Sequence, residues 1–146
     1  MTPGAALVTG AGARLGQDGW AVAVHYLSSK DGAEATKAAI EAGGGRAALV
    51  QADLSNEAET AGLVARASEA LGQKVSLLVN SASVFADDSA SGHTRDDWDT
   101  HFDTNLRAPV HLAQQMANGL PAGEKGVVVN LIDQRVWKLT PEFFTY

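Results

Sequence analysis

The chain has 146 residues, 45% hydrophobic and 19% charged, ordinary values for one globular domain with its own core. Its formal net charge of −6 argues against nucleic acid or an anionic membrane as a partner, and the absence of cysteine excludes disulfides and thiolate metal sites. Met1-Thr2-Pro3-Gly4 lacks the basic and apolar regions of a secretory signal, and no apolar run approaches the ~20 residues of a membrane span, so a cytoplasmic location is expected.

In chain order, the first predicted element is a strand over Ala5-Ala6-Leu7-Val8, followed by the glycine-rich turn Thr9-Gly10-Ala11-Gly12-Ala13-Arg14-Leu15-Gly16. Glycines there let the backbone turn tightly and approach a pyrophosphate, whose charge suits a helix N-terminus. Taken alone, such a turn is also an ordinary strand-to-helix connection. A second strand is predicted over Ala21 to Val24. Asp31 with Glu34 resembles a capping box opening a helix that Gly43 to Gly45 closes. A third strand follows at Ala47 to Val50. Ser55, with Glu57 and Glu59 behind it, starts a helix that ends at Gly72. Val75 to Val79 is the fourth strand. Thr94 with Asp97 opens a long helical pattern reaching about Asn118, and Val127 to Ile132 is the fifth strand.

The strand segments are nearly continuous in apolar character, as expected for strands covered on both faces of a parallel sheet. Their alternation with helices predicts an α/β fold with a Rossmann-type doubly wound parallel sheet, and one domain over residues 1–146. One stretch resists this pattern. Only Gly10 to Trp20 separate the first two strands, whereas a crossover helix with its turns needs ~10–12 residues or more. A missing helix, with residues absent directly after Gly16, is the expectation. The domain is likewise expected to be incomplete at its C-terminal end.

The end of the second strand bears on nucleotide choice. An acid there would hold the 2′-hydroxyl of NAD and repel the 2′-phosphate of NADP. The sequence reads His25-Tyr26-Leu27-Ser28-Ser29-Lys30, with no carboxylate before Asp31. Arg14, Ser28 and Ser29 are candidates to hold a phosphate, with Lys30 nearby. NADP(H) is the cofactor expected; a solvated turn of small polar residues is the other reading.

The turn after the first strand resembles the T-G-x-x-x-G-x-G fingerprint of the short-chain dehydrogenase/reductase family. Arg14 replaces the middle glycine, as in the pteridine reductase branch. Gly10, Arg14, Leu15, Gly16, Tyr26, Ser28 and Ser29 would then line the cofactor site. Asp53-Leu54 matches the position at which the family holds the adenine amino group, although Asp53 also reads as a loop acid. Asn80-Ser81-Ala82-Ser83 is similar to the family's N-N-A-G or N-N-A-S segment beside the cofactor ribose, with Ser81 in place of the second Asn. Ser83 and Phe85 fall where pteridine reductases bind substrate, the phenylalanine stacking on the pterin. From the residue alone, Phe85 reads as readily as a core side chain.

The resemblance extends to catalysis. It implies that Asn105 distorts its helix and holds a water in a proton relay, and an Asn inside a helix has poor propensity. Tyr146 follows the fifth strand by the distance at which the family places its catalytic tyrosine. The family's lysine would lie one helical turn beyond Tyr146. Thirteen residues before Tyr146, where most members carry serine, stands Asp133. A carboxylate there opposes tyrosine ionisation and suits protonation of a basic ring nitrogen. Pteridine reductases share this Asp. A degenerate, inactive site is the other reading.

Asp97 and His101 are spaced i,i+4 within Asp96-Asp97-Trp98-Asp99-Thr100-His101-Phe102-Asp103, but nothing completes a metal site. Acids suit a helix's first turn, so the segment reads as a solvated helix face and no metal is expected. The function expected is an NADPH-dependent oxidoreductase passing hydride to a pterin, dihydropteridine or folate-like ring. The alternatives are a ketone reductase of the same family and a nucleotide-binding module without catalysis. A small-molecule substrate and, by resemblance, a homotetramer are expected; nucleic acid and membrane are not.

Overall fold

The computed structural model describes residues 3–9 and 13–146. Gly10, named above as a cofactor-binding residue, lies outside the described residues together with Ala11 and Gly12. The elements run β1 (Ala5–Thr9), α1 (Ala13–Gln17), β2 (Ala21–Tyr26), α2 (Lys30–Ala42), β3 (Arg46–Gln51), α3 (Glu57–Thr60), α4 (Leu63–Leu71), β4 (Val75–Asn80), α5 (Arg95–Phe102), a π-helical turn over Asp103–Arg107, α6 (Ala108–Gly119) and β5 (Val127–Asn130). A short 3₁₀ turn, Gln134–Val136, follows. The sheet order is β3-β2-β1-β4-β5, and every pairing is parallel. This is the doubly wound α/β fold that the alternation of elements predicts. The strand order reverses between β1 and β4, so the carboxyl ends of those strands open the crevice in which such sheets bind ligands.

Two cores sandwich the sheet. On one face Leu63 and Leu71 of α4 and Leu112 and Met116 of α6 pack on Ala5, Leu7, Ala23 and Leu78. On the other, Ala33 and Ile40 of α2 meet Ala6, Val8, Val22 and Val24, with Leu15 of α1 packed against them. Alternate residues of β1 and β2 therefore enter opposite cores, which explains why these strands are apolar throughout.

Several local expectations are corrected, but the lack of a full crossover helix before β2 is not one of them. Asp18 N–H donates to the Arg14 carbonyl at 3.2 Å, Gly19 N–H to Gly16 at 3.1 Å and Trp20 N–H to Leu15 at 3.1 Å. The return to β2 uses a five-residue helix closed by Gly19 at φ +89°, not a full crossover helix. This short helix still seats Leu15 on the core, and Trp20 beyond it packs there too. Gly16 is what allows the arrangement, because a Cβ there would come within 2.8 Å of Ile40 Cγ1.

Ser29 holds the N-cap position of the helix after β2 without a side-chain cap bond, and Asp31 lies inside its first turn, so no Asp31–Glu34 capping box forms. The helix expected from Ser55 to Gly72 is two helices. Asn56 caps α3 by accepting from Ala58 N–H, and Gly62, at φ +73°, breaks the chain direction before α4. Thr94 and Asp97 do form the expected capping box. The fifth strand ends at Asn130, leaving Leu131 and Ile132 outside it.

Candidate active site

β1 and β4 meet through Thr9. Its hydroxyl accepts from Ser81 N–H at 3.1 Å and Ala82 N–H at 3.2 Å, so the Asn80–Ser83 segment is fastened where the strand order reverses. Asn80 is buried and donates to Asn130 Oδ1 at 2.8 Å. Its own side-chain oxygen has no partner among the described residues. A buried, unpaired acceptor at a switch point fits a site built to receive a polar ligand.

Two cavities flank this segment and share Ala82 and Ser83. The first, of about 660 Å³, lies over the ends of β2 and β3, and Tyr26, Ser28, Ser29, Asp53 and Leu54 line it. His25, also on its wall, is buried and sits 2.9 Å from the Ala52 carbonyl through Nε2; burial holds its pKa below the ordinary value. Asp53 does not hang free. Its Oδ1 accepts from Ser55 N–H at 2.8 Å and the Ser55 hydroxyl at 2.7 Å, which orders the turn before α3.

Arg14 pairs with Asp18 one helical turn on, at 3.2 Å, and is not among the residues lining this cavity. Gly16, too, serves helix packing against Ile40 in this structure. Leu15 is partly buried and packs against the core.

The second cavity, of about 590 Å³, holds Asp133, Tyr146, Asn105 and Ser83 on its wall. The Tyr146 hydroxyl donates to Asp133 Oδ2 at 3.2 Å. Asp133 caps the 3₁₀ turn, accepting from Arg135 N–H at 2.9 Å, and the Arg135 guanidinium lies 3.5 Å from its other oxygen. The Arg135 N–H first, then the Tyr146 hydroxyl and the Arg135 charge, hold the Asp133 carboxyl below its ordinary pKa despite some desolvation. Burial and the neighbouring Asp133 carboxylate push the Tyr146 phenol up, against smaller opposing effects of Ser83 and Arg135. At neutral pH the pair is therefore a protonated phenol donating to a carboxylate.

Asn105 sits in the π-helical turn between α5 and α6, so the helix is distorted where the sequence implied. Its amide accepts from Val84 N–H at 2.9 Å and donates to the Val84 carbonyl at 2.9 Å. These bonds fix the backbone between Ser83 and Phe85.

Phe85 is 44% exposed, which overturns the core reading. It stacks on Phe143 at 4.0 Å between centroids and meets the Tyr146 ring edge-on at 4.8 Å. Arg135 lies 4.5 Å from the Phe85 centroid and 5.0 Å from that of Phe143. Phe143, rather than Phe85, lines the cavity. Sequence reasoning singled out neither Phe143 nor Arg135, nor the side-chain role of Thr9. Only Thr9, a hydroxyl residue at a strand end facing a sheet switch point, left a readable signal.

The Asp97–His101 pair is not a solvated helix face. Asp97 accepts from Thr94 N–H at 2.6 Å as part of the cap, and His101 is buried with 2% of its surface exposed. No group of three or more candidate ligands for a metal ion occurs among the described residues.

A doubly wound parallel sheet with a crevice at its switch point, and a tyrosine–carboxylate pair beside it, defines a Rossmann-type fold. The chain belongs to the short chain dehydrogenase family, whose profile matches residues 4–138. It is 36% identical over 134 residues to an uncharacterized oxidoreductase of Methylorubrum extorquens, covering 86% of this chain and 53% of that protein. Among solved structures it is similar to FolM alternative dihydrofolate reductase 1 from Brucella canis complexed with NADP, with a TM-score of 0.88 and 44% identity, covering 97% of this chain and 60% of that one. The landomycin C-6 ketoreductase LanV, bound to NADP and rabelomycin, matches with a TM-score of 0.86 at 30% identity, over 97% of this chain and 62% of its own. The chain thus spans little more than half the length of these relatives. No helix among the described residues is long and apolar enough to cross a membrane.

Proposed function

We propose that this chain forms the NADP(H)-binding part of a reductase that delivers hydride to a pterin, dihydropteridine or folate-like ring. The observation that carries the reading is the Tyr146–Asp133 pair at 3.2 Å, in a cavity walled by Phe143 and bordered by Arg135. A ketone needs one proton donor at its oxygen, and a serine–tyrosine pair supplies that. A ring imine presents a basic nitrogen instead, and a carboxylate beside the phenol favours a proton moving toward it. The similarity to the Brucella FolM protein supports the same substrate class. The likeness to LanV supports the alternative, a ketone reductase.

The crevice fits a dinucleotide. The adenosine end would lie in the cavity of Tyr26, Asp53 and Leu54, with Ser28 and Ser29 placed for a 2′-phosphate and no acid on β2 to repel it. Asn80, Ser81 and Ala82 would border the ribose nearer the reacting ring. When bound, the cofactor supplies the hydride. Tyr146 holds a proton at its phenol oxygen, Asp133 orients that hydroxyl, and Asn105 holds the Ser83–Phe85 backbone that borders the substrate. Phe143, on the cavity wall and backed by Phe85, offers an aromatic surface to a heteroaromatic substrate. A homotetramer fits the exposed Leu106 and Val110 on the helix pair around Asn105, which would otherwise face water.

The test is Asp133→Ser. Dihydropteridine or dihydrofolate reduction with NADPH should fall by at least about tenfold, the scale of one misplaced proton-transfer group, while NADPH binding persists. Unchanged turnover would remove Asp133 from the mechanism. Equal affinity for NADPH and NADH would overturn the cofactor assignment.

A further inference from the structure

Three segments distant in sequence meet behind Tyr146, and their Asp88, His101 and Thr145 lie outside the walls of both cavities. The stretch after Phe85 and the residues before Tyr146 form an isolated parallel bridge between Asp88 and Phe143. Asp88 N–H donates to the Glu142 carbonyl at 2.8 Å. The Asp88 carboxylate accepts in return from Phe144 N–H at 2.5 Å, from Thr145 N–H at 3.1 Å and from the Thr145 hydroxyl. The third segment is α5, through His101. Its Nδ1 lies 2.7 Å from Thr145 Oγ1 and 3.0 Å from the Asp97 carbonyl, and its Nε2 accepts from Ala86 N–H at 3.2 Å.

These contacts admit one direction of donation. Because Nε2 accepts from a backbone N–H, the ring hydrogen sits on Nδ1 and points at Thr145 Oγ1 and the Asp97 carbonyl. The Thr145 hydroxyl hydrogen is then free for Asp88. The chain reads His101 to Thr145 to Asp88 with no donor idle. His101 is 2% exposed and Thr145 6%, so a lost bond here is not simply replaced by one to water. One end of the chain grips Ala86, next to Phe85; the other grips Thr145, next to Tyr146.

We propose that His101 and Asp88 are positioning residues that act through Thr145 to set the Tyr146 hydroxyl against Asp133 and to hold the Phe85 segment in register with it. The placement stands on geometry alone; its relevance to turnover rests on the function proposed above. The test therefore reads the phenol and not the reaction.

The 146-residue chain has two tyrosines, so in it Tyr26→Phe leaves Tyr146 as the sole phenol. In that background, phenolate absorbance followed against pH reports Tyr146 directly. Its midpoint should lie above the ordinary ~10, because burial and the Asp133 carboxylate both oppose ionisation. Thr145→Val keeps the side-chain shape and removes the hydroxyl; Asp88→Ala removes the acceptor. Each should lower the midpoint by on the order of half a pH unit or more, as the ring moves away from Asp133 and toward water. Thr145→Ser, which keeps the hydroxyl, should restore the starting midpoint. Should Asp88→Ala fail to fold, Thr145→Val decides by itself. A double-mutant cycle with Asp133→Ser adds the route: the Thr145→Val shift should shrink once the carboxylate is gone. An unchanged midpoint in Thr145→Val overturns the proposal, and so does a shift that adds fully to that of Asp133→Ser. Because dihydropteridine turnover is measured separately, loss of the proposed function would leave this result standing.

Discussion

β1 and β5 are written in nearly the same alphabet, Ala-Ala-Leu-Val-Thr and Val-Val-Val-Asn, yet they live in different surroundings. Every residue of β1 is buried. In β5, Val128 is 40% exposed and Val129 42%. The difference does not come from the strands. β1 lies between β2 and β4 and has helices over both faces, whereas β5 pairs with β4 at the sheet edge. Apolar composition thus reports what a strand can tolerate, and the neighbouring layers decide what it receives. The site spans the sheet in the same way: one end lies over buried β2 and the opposite edge strand β3, while the Tyr146 end leans on β5 and the loop beyond it.

Substitutions across the sheet sharpen that contrast. Leu78 in β4 is fully buried, so Leu78→Ala should cost about 2–5 kcal/mol in urea unfolding, the range for a buried leucine whose cavity collapses only in part. A loss under about 1 kcal/mol would mean that the central strands are no better packed than the edge.

Gly16→Ala comes next. The new methyl would press on Ile40 where α1 meets α2, and overpacking of this kind costs about 1–3 kcal/mol. Adding Ile40→Val should recover part of the loss. If Gly16→Ala is neutral, the short helix α1 does not depend on this close approach.

A third effect depends on pH. Burial depresses the folded-state pKa of His25 below its unfolded value of about 6.5. Its contribution to stability is complete above that unfolded value. It declines as pH falls from there toward the folded value, because only the unfolded chain takes up the proton readily. Thermal unfolding between neutral pH and pH 5 should therefore show a fall that His25→Gln flattens. An identical pH slope in the variant would show that the end of β2 is wetter than its burial indicates.

The smallest change belongs to the edge. Val129→Thr, on half-exposed β5, should alter stability by about 0.5 kcal/mol or less. A large loss would show that β5 is covered in solution.

Much of this was legible in the chain itself. The apolar runs locate all five strands, although only β1 and β2 are buried nearly throughout. Thr94 and Asp97 mark the start of α5 because a capping box is a local hydrogen-bond pattern. Asn105 stands out because an amide disfavours a helix interior, and the helix does widen into a π turn there. Signals of this kind involve residues a few positions apart, so sequence carries them. The length argument belongs with them: too few residues separate β1 and β2 for a full crossover helix, and α1 is five residues long, with Gly16 in close contact with Ile40.

What the tertiary structure alone decided is the company each functional residue keeps. Arg14 and Asp18 are neighbours on one helix turn, and that nearby acid, not the cleft, holds the guanidinium. His101 reads as a surface histidine beside acids, but packing turns it inward to Ala86 and Thr145, the latter 44 residues away. Phe143 and Arg135 reach Phe85 only because the chain returns from β5 across the end of the sheet. Asp88 meets Thr145 across 57 residues. The sequence by itself determined a parallel α/β sheet with a ligand crevice and the residue types lining it, because strand burial and helix capping are local properties. Which of those residues touch was decided by chain closure over long separations, and no local pattern records that.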